Sequence, residues 1–216
     1  MTLVQIYKRL LKHFGRQHWW PADTPFEVIV GAILTQQTTW RNVEKAIDSL
    51  KEDNLLDISS LARVNLRRLE KVIRPAGYFH QKAERLRGVC QYIYKNYGDD
   101  LDKLFSQPIP NLREELLSLK GLGLETVDSI ILYAANKPVF VIDAYTKRMA
   151  HRLGMTNLDK YEDLRRYFEN YLPNDLELYQ EFHALIVELG KNYCKTKPNC
   201  QPCPLRKGCQ FKRINS

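Results

Sequence analysis

The chain has 216 residues and a mass of 25.4 kDa, with 44% hydrophobic and 27% charged residues, a balance that excludes an intrinsically disordered or collagen-like protein. No run of uncharged apolar residues approaches the ~20 that a bilayer crossing needs, and residues 1–9 lack the basic, apolar and small-residue order of a signal peptide, so a cytoplasmic protein with no membrane partner is expected. Lys plus Arg number 33 against 25 Asp plus Glu, a formal net charge of +8, and the excess is local. No acidic residue follows Glu188, whereas Lys191, Lys195, Lys197, Arg206, Lys207, Lys212 and Arg213 do. Such a basic tail fits a polyanion docking surface, because released phosphate counterions drive binding; a solvated tail that aids solubility is the plainer alternative.

Taken in chain order, the apolar residues recur at helical spacing almost throughout. Leu3, Ile6, Tyr7, Leu10, Leu11 and Phe14 predict a first helix that stops at Gly15, and Phe26, Val28, Ile29, Ala32, Ile33 and Leu34 predict a strongly apolar one after Pro25. Further helices are expected at about 40–51, 66–73, 80–96, 111–118, 124–136, 143–153, 161–171 and 175–191. Alternating strand patterns are scarce, and Pro138-Val139-Phe140-Val141-Ile142 is the one ambiguous run. Repeats, low-complexity segments and Pro/Gly linkers are absent from the sequence. His13, His18, His80, His151 and His183 form no i, i+4 pair, which argues against a histidine metal site.

Between two of these helices, Leu119-Lys120-Gly121-Leu122-Gly123-Leu124-Glu125-Thr126 places two glycines around one apolar residue at a helix start. It is not a dinucleotide fingerprint, since Thr126 replaces the third glycine and no strand precedes it. Two glycines allow backbone amides at a helix N-terminus to approach a phosphate; a plain helix-to-helix turn looks the same in sequence. Near the C-terminus, Cys194, Cys200, Cys203 and Cys209 follow the pattern C-x5-C-x2-C-x5-C. A reducing compartment argues against disulfides, and four thiolates hold either a tetrahedral zinc or an iron–sulfur cluster. Zinc ribbons usually carry two short pairs, so one short pair between two longer gaps leans toward iron–sulfur. Cys90, within a helical stretch, reads as a small buried hydrophobe.

Hairpin, cysteines and the downstream Val141-Ile142-Asp143 together resemble the endonuclease III superfamily of helix-hairpin-helix (HhH-GPD) DNA glycosylases, from about residue 20 to residue 209. The resemblance implies an all-α, two-lobed fold. Its first lobe is a six-helix domain at 20–132 carrying the hairpin, and its second joins 1–19 with 133–216 and holds a [4Fe-4S] cluster loop at 194–209, ligated by Cys194, Cys200, Cys203 and Cys209. Within the superfamily, His18-Trp19-Trp20-Pro21, Gly31-Ala32-Ile33-Leu34-Thr35-Gln36-Gln37-Thr38-Thr39-Trp40 and Val141-Ile142-Asp143-Ala144-Tyr145-Thr146 look like the 3-methyladenine DNA glycosylase III branch, whose members often lack the cluster. Two departures stand out. The bifunctional members place a Schiff-base lysine two residues after the second hairpin glycine, where this chain has Glu125, and Lys120 does not match that position. The first cysteine gap holds five residues where six are usual.

What the resemblance implies for the site follows residue by residue. Asp143 matches the catalytic carboxylate, Trp20 and Trp40 the aromatic walls of a base pocket, Glu125 a pocket residue in place of lysine, and Gln37 the residue that wedges into the duplex. Gly121 and Gly123 would meet the DNA backbone in the hairpin, and Lys195, Arg206 and Lys207 near the cluster loop. A target base has to be extruded from the stack before its glycosidic bond is reachable, and π-faces with a nearby carboxylate favour the positive charge of an N3- or N7-alkylated purine. A carboxylate beside the sugar stabilises an oxocarbenium-like transition state or orients water. The plainer readings are an N-cap for Asp143 and core packing for the tryptophans. The expectation is therefore a monofunctional, monomeric glycosylase acting on double-stranded DNA with a damaged base and associating with the nucleoid. An endonuclease III-like enzyme for mismatched or oxidised pyrimidines and a non-catalytic DNA-binding module are the alternatives.

Overall fold

The structure is a computed structural model that describes residues 1–211; Lys212 and Arg213 of the basic tail lie outside the described residues. The described residues contain no strand. Their helices are α1 (Leu3–Phe14), α2 (Pro25–Leu34), α3 (Trp40–Glu52), α4 (Ile58–Arg63), α5 (Leu66–Val72), α6 (Phe79–Tyr97), α7 (Leu101–Phe105), α8 (Ile109–Ser118), α9 (Leu124–Tyr133), α10 (Ala144–Leu153), α11 (Tyr161–Tyr171) and α12 (Leu176–Asn192). Short 3-10 turns occur at Arg74–Ala76 and Arg206–Gly208. The all-α expectation holds, and the chain divides into two compact units, Met1–Pro21 with Pro138–Ser216 and Ala22–Lys137.

In the unit Ala22–Lys137, α2 is buried on nearly every face, as its uninterrupted apolar sequence requires. It packs against α3, α6 and α9. The carbonyl of its last residue is met by a buried lysine: Lys82 Nζ donates to Leu34 O and also to Ala76 O, each at 2.8 Å. Burial, with Arg85 nearby, pushes that ammonium down to about 8. α4 and α7 were not expected from periodicity. With six and five residues they are too short to display one, and side-chain caps define them instead, Asp57 accepting from Ser60 N at 2.7 Å and Asp100 from Lys103 N at 3.1 Å. α9 ends at Tyr133 rather than 136 because Asn136 turns left-handed at φ 50° and the amides of Ala135 and Lys137 fold back onto Ile130 O and Ile131 O.

In the other unit α12 is the central helix, packed on both α1 and α10. Phe140, Phe168, Tyr179 and Phe182 build its aromatic core, with Phe140 and Phe168 stacked at 4.6 Å and Phe140 edge-on to Tyr179 at 5.4 Å. Residues 138–142, ambiguous in sequence, lie in no helix or strand and are buried at positions 139–142. Side chains take the alternate amides that a neighbouring strand would use: Phe140 N donates to Glu169 Oε1 at 3.0 Å and Ile142 N to Tyr161 Oη at 3.3 Å. Gly190 lets α12 approach α10, since a Cβ there would overlap the Tyr145 ring.

Candidate active site

Asp143 is both a cap and a candidate acid-base group. As N-cap of α10 its Oδ1 accepts the amide of Thr146 at 2.7 Å, which is the plainer reading made real. Its second oxygen, Oδ2, is directed elsewhere, 3.6 Å from His183 Nε2 on α12. The Asp143 side chain is 11% exposed. Burial drives its pKa up, but the nearby His183 ring and the Thr146 amide outweigh it and hold the carboxyl below the usual carboxylate value. The result is an ionised carboxylate with one oxygen fixed by the helix and the other turned away from it.

His183 is 3% exposed, and its ring packs on Trp19 at 5.5 Å; Trp19 in turn lies 5.1 Å from Trp20 with the rings tilted by 31°. Both tryptophans are half-buried. The segment carrying them is tied to α12 through Gln17 N, which donates to the buried Glu181 Oε1 at 2.7 Å. One helix therefore positions the carboxylate's neighbour and anchors the segment that carries the indoles. His183 and Trp19 were missed in sequence: the first lies 40 residues from Asp143 and carries no motif, and the second was left without a role beside Trp20.

In the unit Ala22–Lys137, Gln37 is exposed in the turn between α2 and α3 with a left-handed φ of 55°, and Trp40 opens α3, half-buried. Gly121 and Gly123 are exposed on either side of the buried Leu122. Gly121 has φ +90°, and a Cβ there would lie 2.5 Å from Arg85 Cδ, so glycine is required on both counts. Gly123 is the N-cap of α9 and supplies no side chain, which leaves the first-turn amides open to an anion. Glu125 sits in that first turn, on the second helical residue. A buried bidentate pair clamps the helices of the hairpin: Arg113 Nε and Nη2 on α8 donate to Asp128 Oδ1 and Oδ2 on α9 at 2.6 and 3.1 Å.

Cys194, Cys200, Cys203 and Cys209 are free thiols that line one small cavity with Arg152, Tyr193 and Phe211. Cys203 is pushed up to about 11 by burial and by the three neighbouring cysteines, against a backbone hydrogen bond from Leu205. Arg152 Nη1 donates to Cys194 Sγ at 3.4 Å and to Lys195 O at 2.6 Å. Among the described residues no three His, Cys, Asp or Glu side chains are placed to hold one metal ion. Four cysteines lining one cavity are the residue type that could hold a metal centre, an iron–sulfur cluster or a single zinc. Lys195 and Lys207 are exposed beside this loop; Arg206 is half-buried and faces the cysteine cavity.

A family model described as HhH-GPD superfamily base excision DNA repair protein matches residues 30–174. The chain belongs to that superfamily. This HhH-GPD chain is 48% identical, over 97% of its length and 96% of the relative's, to a protein of Methanocaldococcus jannaschii that carries the name of a DNA repair glycosylase. Among solved structures it is similar to the Helicobacter pylori 3-methyladenine DNA glycosylase MagIII bound to 1,N6-ethenoadenine, at a TM-score of 0.77 and 29% identity over 88% of this chain and 98% of that one. It is also similar to endonuclease III in a non-covalent DNA complex, at a TM-score of 0.85 and 25% identity over the whole of both chains. The HhH-GPD chain is thus a DNA-binding base excision repair glycosylase. No helix among its described residues is long and apolar enough to cross a membrane.

Proposed function

We propose that this HhH-GPD glycosylase is a monofunctional enzyme that releases alkylated purines, such as 3-methyladenine, from double-stranded DNA. The observation that carries the reading is Glu125 in the first turn of α9. A carboxylate there replaces the amine needed for a Schiff base and favours a base that already bears positive charge. The MagIII structure with its modified purine supports the same substrate class.

Asp143 is the catalytic carboxylate. Its ionised form stabilises the positive charge that develops on the sugar as the glycosidic bond breaks, or orients water at the anomeric carbon. An alkylated purine leaves as a neutral base, so no second acid is required. Trp20 and Trp40 stack the extruded base and Gln37 fills the gap it leaves. The first-turn amides of α9 after Gly123, beside Gly121, together with Lys195 and Lys207, hold backbone phosphates. Cys194, Cys200, Cys203 and Cys209 would hold a [4Fe-4S] cluster, which when bound cross-links the loop that presents those lysines. One chain carries every one of these groups, and the enzyme acts as a monomer.

The test is base release and strand nicking by the purified protein on duplexes containing 3-methyladenine, 7-methylguanine, hypoxanthine, thymine glycol or a T:G mismatch. Free alkylated purine, with nicks only after alkali, is the expected outcome. Release of a pyrimidine, or nicking without alkali, would replace this reading with the endonuclease III one; DNA binding with no release from any duplex would leave a binding module.

A further inference from the structure

Gln36 stands next to Gln37 and differs from it in its contacts. Its Nε2 donates to Gly121 O at 3.2 Å and to Thr126 Oγ1 at 3.0 Å, and its Oε1 accepts from Arg85 Nη1 at 2.6 Å. One amide therefore joins the α2–α3 turn to both sides of the hairpin and to α6. Arg85 is fixed in turn: its Nη2 donates to Gln81 Oε1 at 3.3 Å, and its aliphatic stem lies beneath Gly121, in the space a Cβ would take. The turn is also held from behind, where Lys82 binds the carbonyl of Leu34, the last residue of α2.

We propose that Gln36 and Arg85 form a latch that sets the position of Gln37 relative to the phosphate-binding hairpin. The inference rests on the reading of Gln37 as the gap-filling residue. A residue that fills a gap in the stack works only if it arrives in register with the phosphate that the protein grips, and misplacement by about 1 Å is enough to cost a site much of its effect. Gln37 is exposed, with a left-handed backbone at φ 55°, so its position derives from its neighbours. Gln36 supplies the connection, with both amide atoms engaged. Gln36 and Arg85 are positioning residues; they touch neither base nor sugar.

The test uses a duplex carrying a tetrahydrofuran abasic analogue, which presents a gap whichever lesion the enzyme prefers, and the same duplex without damage. The quantity read is the ratio of the two affinities in wild type, Gln37→Ala, Gln36→Leu and the double variant, with thermal melting as a check on folding. Leucine at position 36 keeps the volume and removes all three hydrogen bonds. Gln37→Ala and Gln36→Leu are each expected to lower the ratio by about tenfold. The double variant should fall no further than Gln37→Ala, because both changes remove one device. A wild-type ratio in Gln36→Leu alongside a lowered ratio in Gln37→Ala would overturn the latch alone, as would losses that multiply in the double variant. A wild-type ratio in Gln37→Ala would remove the gap-filling reading and the latch with it. If Gln36→Leu melts early, Arg85→Met takes its place, since it keeps the stem under Gly121 and removes the donor; a lowered ratio then supports the latch and a wild-type ratio overturns it.

Discussion

His183 Nε2 stands 3.6 Å from Asp143 Oδ2, on a ring that is itself 3% exposed. Burial acts to raise the carboxyl's pKa from the ordinary 3.8, and His183 and Thr146 together bring it below that value. A carboxyl depressed in the folded state contributes stability that is present above its unfolded pKa and lost as pH falls through the folded one, so the loss from Asp143 is confined to pH near and below 3.8. Carboxyl carbon NMR of Asp143 is expected to show a midpoint below 3.8 in wild type and a higher one in His183→Asn. A midpoint unmoved by the substitution would show that Thr146 alone holds the charge.

Asp143→Asn separates the two functions of that side chain. Asparagine caps a helix as well as aspartate, so its oxygen still takes the Thr146 amide and the fold is kept, while the negative charge beside the sugar is gone. Base release should fall by about a hundredfold or more, with affinity for the lesion duplex retained. Single-turnover rates beside equilibrium binding check this; loss of binding in step with loss of rate would assign Asp143 to structure alone.

Several of these features were legible in sequence for identifiable reasons. Helical periodicity announced α1 and α12, glycine spacing announced the hairpin, and Asp143 was visible as a carboxylate before a helix. His183 was not, because its pairing with Asp143 arises from two helices that meet closely at Gly190, a proximity no local pattern records. Gln36 was hidden by an identical neighbour: the sequence shows Gln36-Gln37, and only their surroundings distinguish a residue bonded to the hairpin from an exposed one. The stretch at 138–142 was ambiguous because the side chains that satisfy its amides come from residues 161 and 169.

The Arg113–Asp128 clamp predicts an asymmetric response. Asp128 is fully buried and Arg113 nearly so, and removing one partner strands the other charge in a low-dielectric site. Asp128→Ala should destabilise the protein by about 3–5 kcal/mol. Replacing both with apolar residues of similar volume should cost far less, since nothing charged is then left buried. Denaturant unfolding of the two single variants and the double variant measures the difference; equal losses in all three would mean that the pair contributes packing rather than charge.

The cysteine loop gives the last test. If the four thiols hold a [4Fe-4S] cluster, protein purified without oxygen contains about four irons and four sulfides per chain, absorbs visible light, and carries no stoichiometric zinc. Cys203 is flanked by the other three, and burial together with the closeness of those neighbours raises its thiol, a repulsion that a cationic centre would relieve. Cys203→Ser should therefore lose the cluster outright. With the cross-link gone, the loop bearing Lys195 and Lys207 is less fixed, and DNA affinity should drop with a shallower salt dependence, by roughly one counterion for each phosphate the loop no longer holds. The Asp143 carboxyl titration should stay where it is, since its partners His183 and Thr146 lie on α12 and α10. One zinc per chain in place of iron would assign the loop to a structural zinc site, and a Cys203→Ser protein that binds DNA as wild type does would detach the loop from the interface.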